Sequence, residues 1–144
     1  MKRIKYLDRL LTSENINSSI IDLDEFICNL CKYGDKIERL SEPQKLFYFN
    51  QALEKEVNNG GFDQYFCNSG SENAYETLLA LKSIGANKTA AILQKAIDLV
   101  LKLVEEAKEV PDDAFDKLDK EFLSYQENLN VLNIEFVKKN KDFF

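Results

Sequence analysis

Residues 58–73, NNGGFDQYFCNSGSEN, hold three of the chain's five glycines together with Asn59, Gln64, Asn68 and Tyr65. Three amides near a tyrosine hydroxyl in one concavity form the sparse polar set that orients a small ligand. The same residues also account for a corner. Asn58-Asn59 ends a helix, Gly60 takes the left-handed cap, and Gly61 lets the backbone pass close to a neighbour. Phe62, Tyr65 and Phe66, at i, i+3 and i+4, share one face of a helical turn and would plug the core. Asn68-Ser69-Gly70 then makes the exit turn. In that reading the amides satisfy loop backbone groups. The corner reading leads, and ligand binding at residues 58–70 is its rival.

Other reactive residue types yield less. Cys28-Asn29-Leu30-Cys31 has the C-x-x-C spacing, but it falls within a helical stripe, where a redox pair wants a helix N-terminus. Zinc would need two more ligands, and buried thiols acting as small hydrophobes are the expectation. The chain has no histidine, which removes the Ser-His-Asp and Cys-His pairs and the Glu-x-x-His di-iron site. Glu54 with Glu56, and Glu105 with Glu106, are too close in sequence to share a helix face as an acid/base couple. No P-loop or dinucleotide fingerprint is present. The expectation is a non-enzyme with no catalytic residue, no metal and no cofactor.

Charge is the remaining signal. The net charge is −6, and residues 105–144 carry eleven acids against six bases. Residues 105–121 concentrate Glu105, Glu106, Glu109, Asp112, Asp113, Asp116, Asp119 and Glu121 against three lysines. A solvated face is the plain reading. The sharper one is an array of carboxylates that attracts the basic groove of a DNA-binding protein. The segment lacks the Asp/Asn ladder of a Ca²⁺ loop. With only Arg3, Arg9 and Arg39 as arginines, direct nucleic-acid binding is not expected. The opening MKRIKYLDRLL puts Asp8 and Arg9 where a secretory signal needs an apolar run, and no apolar stretch reaches membrane-span length. A cytoplasmic protein with no membrane contact is expected.

The elements that must position these residues are helical throughout. Ile4, Leu7, Leu10 and Leu11 make a short opening, and a second helix striped by Ile20, Leu23 and Ile27 stops at Gly34. Ser41-Glu42-Pro43-Gln44 is a capping box for a third, striped by Leu46, Phe49, Leu53 and Val57. Ser69 or Ser71 caps a fourth, which ends at Gly85. Asn87 opens the longest and most apolar helix, expected to be the most buried and to run to Pro111. Asp112 and Asp113 start a sixth, with Phe115, Leu118 and Phe122, and Leu129, Leu132 and Phe136 mark the last. The expected fold is all-α, a single-domain bundle of about seven helices over residues 1–144.

NNGGFDQYFCN resembles the signature of the DMP19-like family of small bacterial helical proteins. The likeness extends through LFYFNQALEKEVNNGG, LKSIGANKTAAILQKAI and FDKLDKEFLSYQENLNVLNIEFVKKN, covering about residues 40–144; residues 1–40 have no clear counterpart. The signature falls on Asn59, Gly60, Gly61, Phe62, Gln64, Tyr65, Phe66 and Asn68, with no activity attached to it. The family is named after a dimeric, acidic DNA mimic that occupies a regulator's DNA site. The resemblance therefore implies a protein partner, a DNA-binding regulator, and a homodimer. The acidic surface is not part of the signature, so no acidic residue is carried over.

Overall fold

Ser41 starts the element on which the rest is assembled. Its hydroxyl accepts the Gln44 N–H at 3.3 Å while Gln44 Oε1 accepts the Ser41 N–H at 2.9 Å, both halves of the expected capping box. The computed structural model describes residues 4–144; the basic opening at Lys2 and Arg3 lies outside them. Seven α-helices follow in order: α1 Leu7–Thr12, α2 Ile16–Leu30, α3 Glu42–Cys67, α4 Gly70–Ser83, α5 Asn87–Glu105, α6 Asp116–Leu123 and α7 Leu129–Lys139. Short 3₁₀ turns lie at Lys32–Gly34, Ile37–Arg39 and Lys141–Phe143, and no strand occurs among the described residues. The fold is an all-α bundle.

Helix α3 is shared by two cores. Its first half offers Phe47 to Leu23 and Ile27 of α2 and to Ile134 and Val137 of α7. The Phe144 ring seals this core, fully buried and edge-on to Phe47 at 5.9 Å between centroids. The residues before α2 also join this core, through Ile4, Leu7, Leu10 and Leu11. The second half of α3 offers Leu53, Val57, Phe62 and Tyr65 to Leu81 of α4, Leu93 and Ile97 of α5, and Phe122 of α6.

Several expected boundaries shift. Helix α2 ends at Leu30, and Cys31 is its C-cap, so the C-x-x-C pair lies at a helix C-terminus and not mid-helix. Asp112 and Asp113 lie in a turn, and α6 starts only at Asp116. Helix α5 stops at Glu105, short of Pro111, where Ala107 takes a left-handed φ of 52° and Lys108 N–H closes on Leu103 C=O at 2.9 Å.

The expectation that α5 is the most buried helix is overturned. Ile92, Leu93, Ala96 and Ile97 are buried, but Leu101 and Val104 are 52% and 70% exposed. The reason is length. Helix α5 has 19 residues and α4, its partner across a short turn, has 14, so the last turns of α5 outrun the helix that would cover them. The turn itself forms as its glycine predicts. Gly85 takes φ 81°, with its N–H on Lys82 C=O and the Ala86 N–H on Leu81 C=O.

Candidate functional site

The Asn-Gly-Gly corner is a kink inside α3, not the end of a helix. Gly60 is extended at φ −161°, and Gly61, at φ 70° and ψ −172°, is the residue in glycine territory. Gly60 is needed for space, since a Cβ there would run into the Gln64 side chain. A Cβ on Gly61 would run into the Asp119 carboxylate. That contact organises the corner. Asp119 Oδ1 accepts the Phe62 N–H at 2.8 Å, so a side chain from α6 caps the helical segment that restarts after the kink. Burial raises the Asp119 carboxyl above its ordinary range, opposed by the Phe62 N–H, with Asp116 and Asp63 adding to the rise.

Beyond the kink, Phe62 and Tyr65 are buried and Phe66 is half-buried. Phe62 meets Phe122 edge-on at 5.8 Å, and Phe66 stacks on Phe115 at 5.7 Å. The Tyr65 ring covers Gly70, where any Cβ would overlap it. Its hydroxyl is buried against Thr77 Oγ1 at 3.0 Å, away from the amides it was expected to join. Burial pushes the Tyr65 phenol up to about 12.

The three amides do come together, around Glu56, which the sequence offered only as a rejected acid/base partner of Glu54. Glu56 Oε2 accepts Gln64 Nε2 at 2.8 Å and Asn68 Nδ2 at 2.9 Å, and Asn59 Nδ2 donates to Gln64 Oε1 at 2.9 Å. An unbroken helix would set Glu56 and Gln64 about 12 Å apart along its axis. The kink brings them into contact, so no helical spacing could have flagged Glu56.

A second cluster borders Glu56. Lys55 Nζ reaches Asp24 Oδ2 at 2.9 Å and Cys28 Sγ at 3.5 Å. Burial and the Asp24 carboxylate push the Cys28 thiol up to about 11, so it stays protonated at neutral pH. Cys31 is buried as well, and Cys67 is exposed. Across α3, Tyr125 donates to Glu54 Oε1 at 3.1 Å and accepts from Asn58 Nδ2 at 2.6 Å, on a backbone at φ 46°. Burial raises the Glu54 carboxyl.

The acidic set divides. Glu105, Glu106, Glu109, Asp112, Asp113 and Asp116 are exposed along the end of α5, the following loop and the start of α6. Asp119 is turned inward as the cap, and Glu121 is half-buried. Asp63, exposed and distant in sequence, lies close enough to Asp119 to raise it alongside Asp116. Among the described residues no group of three or more His, Cys, Asp or Glu side chains is placed to hold a metal ion, and no helix is long and apolar enough to cross a membrane.

A family model described as DMP19-like protein matches residues 38–140, from the 3₁₀ turn before α3 to the end of α7. No curated protein and no solved structure matches the chain.

Asp119→Ala should cost about 1–2 kcal/mol in chemical denaturation, the usual loss for a helix cap, whereas Asp119→Asn keeps the acceptor and should cost under ~0.5 kcal/mol. Gly61→Ala combines a forbidden φ with a clash and should cost at least ~2 kcal/mol. The raised carboxyls also set a pH dependence. A carboxyl whose folded pKa exceeds its unfolded value stabilises the fold fully below the unfolded value and loses that contribution as pH rises through the folded one. Stability should therefore fall as pH rises from the ordinary glutamate value of about 4.5, and Glu54→Gln should flatten that fall. Denaturation midpoints measured across pH give the comparison.

Proposed function

The chain belongs to the DMP19-like family, and from that premise we propose that it is a non-catalytic protein-interaction module whose acidic surface engages the basic groove of a DNA-binding protein. The observation that carries this reading is the run of six exposed carboxylates from Glu105 to Asp116. Lys108 is the one lysine that forms an ion pair within the run, on Glu106 at 2.9 Å. Six like charges on a loop and two helix ends repel one another, and a cationic partner removes that repulsion. Such a contact gains most of its rate and specificity from electrostatics, so it weakens with salt. Ligand binding at residues 58–70 draws less support, because the side-chain amides of Asn59, Gln64 and Asn68 are already held by Gln64 and Glu56.

A second copy of the chain is the other partner we propose. The uncovered end of α5 presents Val100, Leu101 and Val104. Pairing two such helices would remove this apolar strip from water.

The acidic reading is tested with Asp112→Asn/Asp113→Asn/Asp116→Asn, which leaves the Asp119 cap intact. A DNA-binding protein captured from lysate of the source cells at low salt should be released by its own duplex DNA. The triple variant should bind it about tenfold more weakly or worse. Unchanged affinity of the triple variant rejects the reading. The dimer is tested by sedimentation: Leu101→Asp should shift a dimer to monomer, and a wild-type monomer at all concentrations rejects it.

A further inference from the structure

Two adjoining cavities of ≈ 500 and ≈ 480 Å³ share Gly34, Tyr48, Glu72 and Asn73, forming one trough between α3, α4 and the turn after α2. One end has an apolar floor of Ile37, Leu46, Phe49 and Leu79, with Leu79 63% exposed. Asp35, Glu56, Glu72 and Glu76 line the walls, and none of these carboxylates has a cationic partner among the described residues. The two lysines of the walls are already neutralised, Lys45 by Glu42 at 2.8 Å and Lys55 by Asp24 at 2.9 Å. The trough therefore presents net negative charge beside apolar surface.

Two further features mark it as a binding surface. Tyr33 stands on its wall, 71% exposed, on a backbone held at φ 55°. A non-glycine residue in that conformation is strained, and its exposed aromatic face stands beside the carboxylates, where it can meet a cation. Ser69 Oγ, buried and without a hydrogen-bond partner, lines the same trough.

We propose that this trough docks a basic amphipathic helix of a partner protein. Lysine or arginine side chains would meet Glu72, Glu76 and Asp35, and apolar ones would rest on Ile37, Leu46 and Leu79. Glu72 and Glu76 are one turn apart on α4, and Leu79 follows within the next turn. That spacing matches the i, i+4 rows of a second helix laid in the groove. A linear polyamine would answer the carboxylates but leave the apolar floor uncovered. The site uses none of the loop carboxylates from Glu105 to Asp116, so it stands or falls independently of that surface.

The test is fluorescence anisotropy with a labelled amphipathic helical peptide of leucine and lysine. Glu72→Gln/Glu76→Gln should weaken binding about tenfold, and Leu79→Ser should weaken it about fivefold. Neither change should disturb the fold, since all three side chains are exposed, and circular dichroism checks this. The Asp112→Asn/Asp113→Asn/Asp116→Asn variant should bind within about twofold of wild type. The proposal is overturned if the peptide does not bind, or if only the loop variant loses binding. It is also overturned if spermine displaces the peptide and Leu79→Ser has no effect, which would make the trough a polyamine site.

Discussion

The hydrogen bond from the Phe62 amide to the Asp119 carboxylate is the contact on which the second core depends. Helix α3 breaks at Gly60-Gly61 and restarts at once, so its second segment begins with amides that have no partner in the preceding turn. Asp119 meets the first of them at 2.8 Å and thereby ties α6 to the kink. The new direction of the segment brings Phe62 onto Phe122, Phe66 onto Phe115, and the Tyr65 ring over Gly70. Two glycines are required for different reasons, one for its φ and both for the side chains that lie over them.

The acids of this chain thus have two distinct uses. Asp119, Glu127 and Glu56 are internal acceptors. Glu127, in the loop between α6 and α7, takes both the backbone N–H and the hydroxyl of Thr89 at the start of α5, at 2.8 and 2.9 Å. Glu56 gathers the two amides beyond the kink. The carboxylates from Glu105 to Asp116, and Asp35, Glu72 and Glu76 of the trough, are left to solvent. A net charge of −6 does not distinguish these groups. Only the exposed acids can act on a partner, and the capping acids hold the scaffold that presents them.

The region matched to the family runs from just before α3 to the end of α7, which includes the kink, both helices that flank it and the acidic loop. Helices α1 and α2 lie before the match, yet Leu10, Leu23 and Ile27 complete the core around Phe47. They are therefore structural in this chain whatever their sequence likeness. On the other side, α5 outgrows α4 and leaves apolar residues uncovered, and Tyr75 and Leu79 of α4 are exposed as well. The surface is uneven in a consistent way, with apolar and acidic patches side by side on the helices of the second core.

Local signals in the sequence determined the elements. The helical period, the Ser41 capping box, the Gly85 turn and the i, i+3, i+4 spacing of Phe62, Tyr65 and Phe66 each act within a few residues, and each formed as its chemistry dictates. The direction of each functional side chain was decided elsewhere. Asp119 is turned from solvent onto the Gly61 kink by a bond between residues 57 apart in the chain, and the Tyr65 hydroxyl is turned by Thr77 of α4. The same holds for the burial of α5, which its apolar stripe overstated because the stripe records the helix and not the length of its neighbour. A carboxylate's sequence position reveals its charge, but only the packed fold decides whether that charge caps a helix or meets a partner.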